Sequence, residues 1–112
     1  MIEETVLNYL KYHISAPVYC NVPSSKDDEY VVIEKTGGSI ENKVKQSTIA
    51  IQSYGKSRYR ACALNEEVIA AMADGLITLD EISDVVVNGS ANFTDTTTKK
   101  PRYQTVFVIT HY

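Results

Sequence analysis

The chain has 112 residues and a formal net charge of −3, with 44% hydrophobic and 22% charged residues. A single domain spanning 1–112 buries roughly two-thirds of the surface its unfolded chain exposes, enough for one core. The mildly acidic balance speaks against the strongly basic face of a nucleic-acid binder, and no segment approaches the ~20 apolar residues of a membrane-spanning helix.

The opening Met1-Ile2-Glu3-Glu4 carries neither a basic n-region nor an apolar h-region, so no signal peptide is expected. Ile2, Val6, Leu10 and Ile14 recur every fourth residue and predict a helix over 2–14. Glu3 and Glu4 in its first turn, and Lys11 and His13 in its last, suit the helix dipole. Ser15-Ala16-Pro17 ends it, because the residue before a proline avoids helical backbone. A short strand is expected over 17–22, then a polar loop over 23–28 and a strand over 29–36 centred on Tyr30-Val31-Val32-Ile33. Gly37-Gly38-Ser39 reads as its end. Residues 44–54 alternate, with Ile49 and Ile51 opposed to Thr48, Ala50 and Gln52, which is the period of a strand.

A second helix is expected over 56–74, with Ala61, Leu64, Val68 and Met72 as its apolar stripe and Gly75 as a left-handed terminator. Thr78-Leu79-Asp80-Glu81 has capping-box spacing, so one helical turn is expected before the next strand, 82–87. Asn88-Gly89 is a turn signal, and 90–100 is polar and threonine-rich. A final strand covers 102–112, with Tyr103, Thr105, Phe107 and Ile109 alternating against Val106 and Val108. The order α-β-β-β-α-β-β with short connections predicts an α+β fold: a mostly antiparallel sheet of about five strands with two helices packed on it. Strand order is not legible.

The residues that carry chemistry are sparse. His13 and His111 are the two histidines, and neither has a Cys, Asp or His partner at ligand spacing, so no metal is expected. His13 reads as a surface residue at a helix end and His111 as a residue near a strand end. Cys20 and Cys62 have no C-x-x-C spacing and read as reduced, buried thiols, although sequence does not set their separation. The acidic clusters Asp27-Asp28-Glu29, Glu66-Glu67 and Asp80-Glu81 read as solvated surface. Gly37-Gly38-Ser39 leads into a strand rather than a helix, so it reads as a turn and not as a phosphate loop. Lys99-Lys100-Pro101-Arg102 reads as a solvated entry to a strand. Neither a catalytic set nor a cofactor site emerges, and an enzyme is not expected. The 8 tyrosines suit half-buried strands and also subunit interfaces.

Four stretches resemble one family. Ile2-Glu3-Glu4-Thr5-Val6-Leu7-Asn8-Tyr9-Leu10 leading to Pro17-Val18-Tyr19, Tyr30 through Gly38, Ile49 through Gly55, and Phe93-Thr94-Asp95-Thr96-Thr97 through Arg102-Tyr103-Gln104 together resemble the tail-terminator, or tail-completion, proteins of long-tailed phages and prophages. The resemblance implies a virion structural protein at the head-proximal end of the tail, assembled in the host cytoplasm. It implies a homo-hexameric ring that caps the tail-tube protein, meets a head-completion protein and lets DNA pass without specific binding, with no membrane partner. A head–tail connector or another minor tail or capsid component is the alternative within that class, and a small nucleic-acid-binding or regulatory protein is the alternative outside it. Loops are where partners bind on a rigid scaffold, so the expected contacts fall on 37–43 and 88–101: Gly37, Gly38, Lys43, Lys45, Asp95, Lys99, Lys100 and Arg102.

Overall fold

A computed structural model describes residues 2–21, 29–41, 43–92 and 100–112. The elements run α1 (Ile2–Lys11), β1 (Val18–Tyr19), β2 (Tyr30–Glu41), β3 (Val44–Tyr54), α2 (Arg58–Gly75), a 3₁₀ turn (Leu76–Thr78), β4 (Ile82–Asn92) and β5 (Arg102–His111). This is the α+β order expected from the sequence. The five strands form one sheet in the order β1-β2-β3-β5-β4, parallel at β1–β2 and antiparallel at every other pair.

Period-two alternation sends one face of the sheet to a core and leaves the other open. Val31, Ile33, Ile49, Ile51, Phe107 and Ile109 point to the same side. There they join Val6 and Leu10 of α1 and Leu64, Val68 and Met72 of α2 in one apolar cluster. Both helices therefore lie on that face, each through the stripe its sequence predicts. Burying a side chain of this kind contributes about 1.5–3 kcal/mol, so the helix–sheet layer is the main source of stability. Ser57 caps α2 by accepting from the Arg60 N–H at 3.2 Å. On the open face Tyr30 and Tyr54 stack at 4.6 Å, and Tyr19 meets Tyr30 edge-on at 6.2 Å.

Several boundaries differ from expectation, each for a physical reason. The first helix stops at Lys11, because Tyr12 and His13 donate to the carbonyls of Tyr9 and Leu10 and tighten the last turn. The first strand holds only two residues, Val18 and Tyr19. Gly37-Gly38-Ser39 does not end a strand: β2 continues to Glu41, with a bulge between Lys35 and Gly37 that keeps it in register with β3. The reversal instead comes at Lys43, whose φ of 68° is left-handed.

Asn88-Gly89 is not a turn either. It is a bulge inside β4 between Val87 and Gly89, and Gly89 has a φ of 151°, which side-chain-bearing residues rarely adopt. The long β5 supplies partners on both sides of it. Gly75 is not left-handed, with φ −124°: α2 runs straight into the 3₁₀ turn. That turn precedes the capping-box residues Asp80 and Glu81 rather than following them.

Candidate functional site

The expected partner-binding residues separate into two groups. Gly37, Gly38, Lys43 and Lys45 sit on the distal half of the β2–β3 hairpin, where every described residue from Glu34 to Glu41 is exposed. Lys100 and Arg102 lie by the far end of β3, where Arg102 pairs with Tyr54. Nine residues along a strand is about 30 Å, so the two groups do not form one surface. Asp95 and Lys99 lie outside the described residues. The segments 37–43 and 88–101 were expected to be loops, but 37–41 and 88–92 are strand, because each has a paired neighbour along its length.

Lys100 and Arg102 turn inward onto tyrosines. The Lys100 ammonium sits 4.4 Å from the Tyr30 ring centre and 3.0 Å from its hydroxyl. Arg102 donates to the Tyr54 hydroxyl at 3.2 Å. A cation over an aromatic ring is worth roughly 0.5–2 kcal/mol, so these side chains clamp the stacked tyrosines as well as carrying charge.

The hairpin separates its charges by face. Lys35 and Lys45 fall on the same period-two face as Ile33, Ser47 and Ile49 and so project on the helix side. Glu34 and Glu41 project on the open side. On the helix side an open groove of about 710 Å³ runs between Lys35, Ile40, Lys45 and Ser47. At its inner end Ser47 and His111, both buried, meet at 2.8 Å between Oγ and Nε2. Burial pushes the His111 imidazole below its ordinary pKa, and Lys45 and Lys35 push the same way. The neutral ring is therefore the form this site holds.

The cysteines are free; Cys20 is exposed and Cys62 half-buried, which corrects the expectation of two buried thiols. Cys20 leaves the sheet just after β1, and Cys62 sits one position off the apolar stripe of α2. Among the described residues no three His, Cys, Asp or Glu side chains converge as a metal-holding group, and no helix is long and apolar enough to cross a membrane.

The sheet's two outer strands are the feature the sequence reading missed. Beyond Val32 no described strand pairs with the outer edge of β2, and none pairs with the outer edge of β4. Ile40, Val86 and Val87 on these strands are 70%, 48% and 41% exposed. Three consecutive valines, Val85-Val86-Val87, were the available signal: period two sends neighbours to opposite faces, so not all can be buried in one core.

Comparison with known proteins finds neither a protein-family model nor a curated sequence that matches the chain.

Proposed function

We propose that the chain is a structural assembly subunit of the phage tail-terminator type, forming a ring that caps the head-proximal end of a tail tube and joins it to the head. The observation that carries this reading is the pair of strand edges, on opposite sides of one sheet, that no described strand pairs with. A subunit with a different adhesive edge on each side makes head-to-tail contacts, and these close into rings or extend into filaments. Exposed aliphatic side chains on the same strands favour burial against a partner. The resemblance of the N-terminal, central and C-terminal stretches to tail-terminator proteins supplies the ring's place in a virion. A net charge of −3 suits a lumen that DNA crosses without adhering.

Native mass spectrometry across a concentration series, with negative-stain imaging of large species, tests the proposal. Closed six-membered rings are expected, either alone or on addition of purified tail tubes, with tube ends capped. A chain that stays monomeric and leaves tube ends bare overturns the reading.

A further inference from the structure

The open edges also differ in charge, and together with strand direction this specifies how two copies meet. Successive antiparallel pairs mean that β2 and β4 run in opposite senses. A second copy set beside the first in the same orientation therefore brings its β4 antiparallel to β2, continuing the sheet. The charges at the meeting ends differ. The β2–β3 hairpin carries Lys35, Lys43 and Lys45 together with Glu34 and Glu41, whereas the stretch from Asp80 to Asn92 holds Asp80, Glu81 and Asp84 and no basic residue, so the opposite-charge contact available is between Lys43 in the hairpin turn and Asp84 on β4. β4 also lacks the lysines and prolines that ordinarily guard a free edge, its only irregularities being register shifts at Ile82/Asp84 and Val87/Gly89. Of the exposed aliphatic side chains Ile40, Ile77, Val86 and Val87, three lie on these two strands.

Side-chain alternation selects the register. Ile40 and Val87 both lie on the helix side of the sheet, so they can face each other across the new pair. That setting puts Glu41 opposite Val86 and the hairpin turn, with Lys43, opposite Asp84. A two-residue slip one way puts Glu41 opposite Asp84, a like-charge pair, which is disfavoured. A slip the other way moves Ile40 off Val87 and onto the bulge at Gly89.

We propose that β2 of one copy and β4 of the next pair edge to edge and antiparallel, with Ile40 against Val87 and Lys43 against Asp84. This rests on the assembly reading above and names its interface. Main-chain hydrogen bonds would supply the attraction and the charges the register.

The test is disulfide trapping in a Cys20→Ser, Cys62→Ser background. Ile40→Cys with Val87→Cys is compared with Ile40→Cys and Val85→Cys, in which the second thiol lies about 7 Å further along the strand, beyond easy bridging. Ile40 and Val87 are exposed whereas Val85 is half-buried against the core, so the folding of each variant is checked by thermal unfolding and the reactivity of each thiol toward a small alkylating reagent is measured to normalise the crosslinking rates. Oxidation is run with and without tail tubes. The expected result is a ladder of crosslinked multimers for the first pair, formed about tenfold faster than for the second. In parallel, Lys43→Glu should weaken association about fivefold, the order expected of one exposed ion pair turned repulsive, and adding Asp84→Lys should restore it.

Rings without the crosslink overturn this pairing and leave the ring reading standing. A crosslinked ladder with open-ended oligomers and uncapped tubes keeps the pairing and removes the terminator reading. No ladder and no assembly under either condition overturns both.

Discussion

Tyr9 of α1 stands against Gly75 at the end of α2 so closely that a Cβ on Gly75 would overlap the Tyr9 hydroxyl. That hydroxyl donates to the Ala71 carbonyl at 2.9 Å, and the ring stacks on His13 at 4.0 Å, so it is held from both ends. Gly75→Ala is therefore expected to destabilise by about 1–3 kcal/mol, the range for inserting a methyl into a packed site. It gains little helix propensity, because φ −124° is not helical backbone. Tyr9→Phe removes both the hydrogen bond and the overlapped oxygen. In that background Gly75→Ala should cost clearly less, a coupling that urea unfolding of the four-member cycle measures. Additive costs would mean that the hydroxyl is not the obstacle.

Ser53 presents the opposite case. Its hydroxyl is buried on the helix side of β3 and has no hydrogen-bond partner among the described residues. A buried unsatisfied polar group costs about 1–3 kcal/mol, and alanine removes it while leaving only a small void. Ser53→Ala is expected to raise the unfolding midpoint in urea at an unchanged slope. A lowered midpoint would show that the hydroxyl is satisfied.

What the sequence made legible followed from periodicity. The stripes Ile2-Val6-Leu10 and Leu64-Val68-Met72 mark both helices, and the alternation around Ile49–Ile51 and Phe107–Ile109 marks the two central strands. The glycine pairs misled, because a turn signal is local while strand continuation is decided by a neighbour. Val44–Ile49 carries β2 past Gly37 and Gly38, and β5 carries β4 past Gly89. The candidate interface was half legible for the same reason. Lys43 and Lys45 were found as charged residues, whereas Ile40 and Val87 matter only once β2 and β4 are known to be outer strands, and strand order leaves no local trace. Lys100 and Arg102 read as solvated charge because the tyrosines beneath them are distant in sequence.

Asn65 holds the end of β4 to α2. It is buried, accepts from the Thr105 hydroxyl at 2.7 Å and donates to the Ser90 hydroxyl at 2.9 Å. Asn65→Ala opens a void and leaves the fully buried Thr105 hydroxyl with Ser90, at 3.0 Å, as its remaining partner, so a loss of about 2–4 kcal/mol is expected. Asn65→Leu with Thr105→Val replaces both partners by apolar groups and should recover part of it. Hydrogen exchange should quicken from Ser90 to Asn92 in the alanine variant. Equal costs for the single and double variants would remove the hydrogen bonds as the cause.

His111 gives the fold a pH dependence whose sign follows from its surroundings. Burial is the largest cause and, with the cations Lys45 and Lys35, outweighs a hydrogen bond with the Tyr112 backbone that acts the other way, so the folded imidazole lies below the ordinary value of 6.5. Glu81 lines the same recess as His111 and Lys45. On acidification the unfolded chain takes up the proton first. Between the two pKa values the unfolded state binds more protons, so stability falls as pH drops through about 6.5 and levels once the folded ring is also protonated. His111→Gln keeps a polar partner for Ser47 and should flatten this segment of the stability–pH curve. The His111 ring signals, followed by NMR, should titrate below the free-histidine range. A midpoint above 6.5 would mean that the Tyr112 backbone hydrogen bond, or the Glu81 carboxylate in the same recess, outweighs burial and the two lysines, and the slope should then reverse.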